Sequence, residues 1–175
     1  ANEGGRAFGQ FQRWLSDFNP GILKDTIPDF HNIEKRYEKF AHVIAADAIS
    51  RVKKVESEIE FVSDRINAMG TILRNGKAGK IPLRITHNDT KFNNILFDEN
   101  DRALCVIDLD TVMPGYPAYD FGDSIRTIVN TAAEDEKELQ KIDINMQFFR
   151  AFTSGFMKET TGLFKKEEIE MLPMG

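Results

Sequence analysis

Residues 84–97 read Arg84-Ile85-Thr86-His87-Asn88-Asp89-Thr90-Lys91-Phe92-Asn93-Asn94-Ile95-Leu96-Phe97, and Leu104-Cys105-Val106-Ile107-Asp108-Leu109-Asp110 follows. The spacing predicts a short extended run over 81–86 that leads into a polar loop at His87-Asn88-Asp89. Two short apolar runs come next, Ile95-Leu96-Phe97 and Leu104 to Ile107, joined by the polar stretch Asp98 to Arg102. Such a pattern predicts a small hairpin. Cys105 alternates with the apolar positions and is expected to pack inside. Met113-Pro114-Gly115-Tyr116-Pro117 reads as a loop.

On either side the period changes from two to 3.6. Phe8, Phe11, Leu15 and Phe18 make one helical stripe, ended by Asn19-Pro20-Gly21. Ile33, Tyr37, Phe40, Ala41 and Ile44 make a second, with Asn32 as N-cap. Val55, Ile59, Val62, Ile66, Met69 and Leu73 predict one long amphipathic helix with a buried face, stopped by the turn Asn75 to Lys80. His31 and His42 fall on helical stretches in this reading. Helical spacing returns after Asp120 at Ile125, Ile128 and Val129, and again at Ile144, Phe148, Phe152 and Phe156. The Phe stripes are expected to be core. The run Glu134 to Glu138 is a solvated face or a helix start, and Lys165 to Leu172 begins one more helix. The expectation is one domain over 1–175, mainly α with a small β-hairpin insert (α+β). Residues 1–80 supply helices, 81–124 the polar loops and hairpin, and 125–175 helices again.

Composition narrows the function. The chain has 175 residues, 41% of them apolar and 29% charged. That is ordinary for a folded domain, and folding at this size hides roughly 70% of the extended chain's surface. No apolar run approaches the ~18 residues of a membrane span. The net charge of −5 gives no bulk attraction to nucleic acid or anionic lipid. One cysteine makes no internal disulfide and no Cys-based zinc cage, which points to a reducing, cytoplasmic setting.

The chemistry lies in the polar loop. His87, Asp89 and Asn94 fit H-x-D-x-x-x-x-N, the spacing of a kinase catalytic loop, and Asp108 ends the second hairpin strand. Phosphoryl transfer needs a carboxylate to orient an attacking hydroxyl and take its proton, and Asp89 suits that task. It also needs oxygen ligands for Mg²⁺ on the nucleotide phosphates. Asn94 offers a neutral oxygen and Asp108 an anionic one. A hairpin returns Asp108 toward Asn94. Lys91, two residues after Asp89, could neutralise charge on the transferred phosphate.

HNDTKFNN, VIDLDTVMPG and YDFGDSIR together resemble the aminoglycoside phosphotransferase/choline kinase family of protein-kinase-like small-molecule kinases. Within it the likeness is to N-acetylhexosamine 1-kinases, with looser similarity in GRAFGQFQ and IPDFHNIEKRYEKF. The resemblance implies the C-terminal lobe of the kinase-like fold and an ATP- and Mg²⁺-dependent transfer to a sugar or amino-alcohol hydroxyl. It implies Asp89 as base, Asn94 and Asp108 as magnesium ligands, His87 as the residue holding the base in place, and Asp120 as a brace from the following helix. Asp110 could face metal or sugar, and His31 could approach the sugar. The nucleotide-covering lobe of the family has no counterpart among the motifs. Gly4, Gly5 and Gly9 are not G-x-G-x-x-G, and Gly76, Gly79 and Lys80 fail the Walker spacing. The expected partner is that lobe of the same protein, and the 175 residues alone are expected to be inactive.

Other readings stay open on the residues alone. Asp89, Asp110, Asp120 and Asp123 could be turn or cap residues, and Lys91 a solvated lysine. His87 with the nearby aspartates could serve a metal-dependent phospho- or sulfo-ester hydrolase, although three histidines are few for a two-metal site. A non-catalytic binding module with the same fold is a third possibility.

Overall fold

The computed structural model describes residues 1–133 and 135–175. Helices α1 (Asn2–Trp14), α2 (Ile33–Ala46), α3 (Glu56–Met69) and α4 (Thr71–Lys77) precede the strands. Strands β1 (Arg84–Thr86), β2 (Ile95–Phe97), β3 (Ala103–Val106) and β4 (Met113–Gly115) fill the middle. Helices α5 (Pro117–Ile128), α6 (Met146–Thr160) and α7 (Lys166–Met171) complete the chain. The fold is mainly helical with small antiparallel sheets, the α+β class expected from the periodicities.

The centre is the crossing of α1 and α6. Phe8 on α1 and Phe152 and Phe156 on α6 are fully buried, and Phe121 of α5 packs edge-on to Phe156. The two backbones lie close because glycines meet there. A Cβ on Gly5 would fall inside contact distance of the Phe152 carbonyl, and one on Gly9 would come within 2.9 Å of the Phe156 carbonyl. The glycines near the start of the chain are thus a helix-packing surface. Arg6 ties the same pair of helices by an ion pair to Glu159 at 2.9 Å.

Two separate sheets position the polar loop. β1 pairs with β4, Thr86 opposite Met113. β2 pairs with β3, Ile95 opposite Val106, as the hairpin reading expects. Asp98 Oδ1 accepts the amides of Asn100 and Arg102, both at 2.8 Å, and so closes the hairpin turn.

Several local readings change. Met113–Gly115 is a strand, because its backbone completes β1; Pro114 is tolerated in this two-stranded edge pairing. Cys105 is exposed on the outer face of β3, so it does not pack in the core. α1 stops at Trp14, and Phe18 lies beyond it, 46% exposed. The long third stripe is two helices, interrupted at Gly70, and no residue of α3 is buried. α2 and α3 instead lie side by side, joined by Tyr37 and Ser63, with their apolar stripes only half covered. Asn32 does cap α2, its side chain accepting the Lys35 amide. His31 sits in the turn before that helix, and His42 is on it. α5 begins at Pro117, three residues before Asp120, since proline suits a first helical position. Ile144 and Phe148 are exposed. Glu134 lies outside the described residues; the rest of that acidic run opens no α-helix, and the 3-10 turn Leu139–Lys141 follows it. Among the described residues no helix is long and apolar enough to cross a membrane.

Candidate active site

The loop after β1 is shaped by its own polar side chains. Thr86 donates its hydroxyl to the Met113 carbonyl at 3.1 Å, across the ladder. Asn88 takes a left-handed conformation, φ 67°, which asparagine tolerates better than most residues. Its side-chain amide donates to the Thr111 carbonyl at 2.9 Å. Thr111 in turn donates its hydroxyl to the His87 carbonyl at 2.7 Å. The chain therefore turns sharply at Asn88 and presents Asp89.

His87 is fully buried, with Phe8 and Phe11 edge-on to its ring. Its Nδ1 accepts the Asp89 amide at 3.3 Å, which leaves Nε2 to donate to the Ile107 carbonyl at 2.9 Å. One tautomer satisfies both contacts. His87 thus meets the site through the Asp89 backbone and through Ile107, and its ring touches no open space. Ile107 also donates its amide to the Asn94 carbonyl at 2.9 Å. Being held from both sides, Ile107 sets the position of Asp108, the next residue, which is left-handed at φ 64° and exposed.

α5 braces the loop from beneath. Asp120 is buried; its Oδ2 accepts the His87 amide at 2.9 Å and its Oδ1 the Asn88 amide at 2.8 Å. Gln12 of α1 donates to the same carboxylate at 2.9 Å. Burial pushes the Asp120 carboxyl up to about 6, against the pull of those hydrogen bonds. Asp123 accepts the Thr90 amide at 2.8 Å, and Ser124 donates to the Thr90 carbonyl at 3.0 Å.

Asp89 itself is gripped at both oxygens. Lys91 Nζ stands 2.9 Å from Oδ1. Asn94 donates Nδ2 to Oδ2 at 2.9 Å and to the Asp89 carbonyl at 2.7 Å. With its nitrogen turned to Asp89, the Asn94 Oδ1 points the other way. Each carboxylate oxygen keeps a second lone-pair direction for a further donor.

Of the residues expected at the site, the structure brings Asp89, Lys91 and Asn94 into direct contact, with His87 and Asp120 holding their backbone. Asp108 is joined to them through Ile107 and Asn94. Asp110 lies two residues on, exposed in the 3-10 turn Leu109–Thr111. His31 stands apart, stacked on Tyr119 of α5 at 4.6 Å between ring centres. It lines a cavity of about 240 Å³ that also touches Asp25, Asn88, Met113 and Tyr116. Burial holds the His31 imidazole below its usual value, so it is neutral near pH 7. Gln12, Thr111, Asp123 and Ser124 also belong to the support and were not read as such from the sequence. For Asp123 and Ser124 the signal existed, three and four residues after Asp120 on one helix face. For Gln12 and Thr111 no local pattern marks the role.

Among the described residues no group of three His, Cys, Asp or Glu side chains is arranged to hold a metal. Asn94 Oδ1 beside Asp89, and Asp108, which follows the Ile107 held on Asn94, offer one neutral and one anionic hard oxygen donor. That set fits Mg²⁺, which takes one or two protein ligands and completes its shell with phosphate and water.

The family model described as APH, phosphotransferase enzyme family, matches residues 1–150. That range takes in the loop, the hairpin, Asp108 and the α5 brace.

Proposed function

Because the chain belongs to the APH phosphotransferase enzyme family, we propose that it forms the catalytic and acceptor-binding lobe of an ATP-dependent kinase. Its acceptor is the hydroxyl of a small alcohol, the anomeric hydroxyl of an N-acetylhexosamine or a related sugar or amino-alcohol. The observation that carries this reading is the Asp89 carboxylate fixed between Lys91 and Asn94. Asp89 accepts the acceptor's proton while the freed oxygen attacks the γ-phosphorus and the bond to the departing ADP breaks. Lys91 balances negative charge that builds beside Asp89. Asn94 and Asp108 would hold Mg²⁺, which supplies neutralisation of the nucleotide phosphates. His87 keeps the Asp89 amide in place, and Asp120 keeps His87 and Asn88 in place. The cavity beside Asn88 receives the acceptor, with the neutral His31 in its lining, and Asp110 contacts the metal or the sugar from its exposed turn. The other face of the nucleotide is covered by a glycine-rich lobe of the same protein, in the cytoplasm.

The test uses the full-length protein with Mg²⁺ and ATP against a panel of N-acetylhexosamines, neutral hexoses and amino-alcohols. The expected result is a new phosphate ester in the ³¹P spectrum, formed with ADP in equal amount. Asp108→Ala should remove the Mg²⁺-dependent protection of the protein by nucleotide. Ester hydrolysis without nucleotide, or ATP-dependent sugar phosphorylation by the 175 residues alone, would contradict the reading.

A further inference from the structure

Asp123 is three residues beyond Asp120 on α5, so the two carboxylates lie on the same side of the helix. Between them they take three of the four consecutive amides at 87–90. Asp120 accepts those of His87 and Asn88, before Asp89. Asp123 accepts that of Thr90, after it, at 2.8 Å. The fourth amide, of Asp89 itself, goes to His87 within the loop. Thr90 is fully buried, and its remaining groups also end on α5. Its hydroxyl donates to the Asp120 carbonyl at 2.6 Å, and its carbonyl accepts from Ser124 at 3.0 Å. The second oxygen of Asp123 is held by Arg126, one turn along, at 2.9 Å. That ion pair fixes the rotation of the carboxylate.

We propose that Asp123 is a positioning residue for phosphoryl transfer, holding the chain on the far side of Asp89 and so setting where the base stands. The proposal rests on the reading of Asp89 as base. Its physical basis is a pivot. Asn88 is left-handed at φ 67°, and a loop held only before that turn swings about it. The ties of Thr90 to α5, with the Asp123 bond as the one that holds its backbone amide, are the second fixed point that stops the swing. Asp89 lies between the two fixed points; Lys91 and Asn94 hold its carboxylate, and loosening of either fixed point shifts the backbone that carries it. A displacement of about 1 Å costs on the order of 10²-fold in rate.

The experiment compares Asp123→Ala, Asp123→Asn and Asp89→Asn in the full-length protein, with Mg²⁺-ATP and N-acetylglucosamine or whichever alcohol the acceptor panel selects. In Asp123→Ala the expected kcat is lower by roughly 10- to 100-fold, with KM for ATP and acceptor within about threefold. In Asp123→Asn the amide oxygen still accepts the Thr90 N–H, so kcat should stay within about fivefold of the parent. Hydrogen exchange supplies a readout independent of turnover. The Thr90 amide should exchange at least about tenfold faster in the alanine variant while His87 and Asn88 stay protected. Equal kcat losses in the Asn and Ala variants, a loss that appears in KM, or faster Thr90 exchange with unchanged kcat would each overturn the proposal. If Asp123→Ala does not fold, Asp123→Ser is read in its place. Failure of both to fold would make Asp123 a stability residue alone and end the proposal. An active Asp89→Asn variant removes the base reading and this proposal together. An inactive one beside a fully active Asp123→Ala removes this proposal only.

Discussion

Asn94 reaches back five residues and donates one side-chain nitrogen to both the carbonyl and the carboxylate of Asp89, at 2.7 and 2.9 Å. The contact closes the loop on itself and fixes the rotation of the Asp89 side chain. It also decides which atom of Asn94 is left to face outward, the oxygen, which is the atom a magnesium ion would use.

Asp89→Asn keeps the shape of this arrangement and removes the basic oxygen. Its expected effect is a kcat lower by about 10² to 10⁴, the usual worth of a general base, with the acceptor KM changed only a few-fold. Steady-state kinetics of the full-length protein make the check. A raised KM with kcat preserved would assign Asp89 to binding instead.

Asp120 predicts a pH effect on stability whose sign follows from its environment. Its folded-state value is about 6, against 3.8 for a free carboxyl. Between those pH values the folded chain holds the proton that the unfolded chain releases. The stabilisation contributed by this group is therefore complete below about pH 4 and is lost as the pH rises through 6, by roughly 3 kcal/mol in all. Urea denaturation of the parent and of Asp120→Asn at pH 4, 5, 6 and 7 should show their difference shrinking over that window and flat above it. A constant difference would mean that the carboxyl is already ionised at pH 4.

The crossing of α1 and α6 predicts a steric effect. Gly5→Ala places a methyl against the Phe152 carbonyl, where backbone and not a flexible side chain must give way. The expected loss is about 1–3 kcal/mol, typical of overpacking in a dense core. The midpoint of chemical denaturation measures it. Gly79→Ala tests a different cause at a position with open space and φ 71°, where any loss comes from backbone conformation alone.

Arg84 and Glu168 make a two-point ion pair, Nε to Oε1 at 2.6 Å and Nη2 to Oε2 at 2.9 Å, with Glu168 only 3% exposed. Glu168 also accepts the Lys165 amide at the start of α7. Arg84→Met leaves that carboxylate buried and uncompensated, for an expected loss of about 3–5 kcal/mol. The Arg84→Met, Glu168→Gln double variant should recover part of it. A double variant as unstable as the single one would show that the arginine acts through packing on Phe164 instead.

The acidic and amide residues of the loop were legible because their relation is local. His87, Asp89, Lys91 and Asn94 lie within eight positions, and a tight loop brings residues so spaced together. The hairpin was legible for the same reason, and it brings Ile107, the residue before Asp108, onto the Asn94 carbonyl. The brace was legible in part, through the resemblance of YDFGDSIR to the family, which implies that role for Asp120. Its neighbours Asp123 and Ser124 look like any polar face until Thr90 is set against them. Cys105 and Phe18 misled because alternation and helical spacing say which residues share a face, not which face is covered.

The sequence by itself determined the α+β class, most of the helices, the hairpin and the loop that carries Asp89 and Asn94, since each depends on spacing within one short segment. Tertiary structure alone decided that Met113–Gly115 becomes a strand and that Gln12 and Asp123 support the loop. Those outcomes depend on partners 27 to 108 residues away in the chain. Hydrogen bonds and close contacts act over a few ångströms, so such pairs exist only once packing has brought distant segments together.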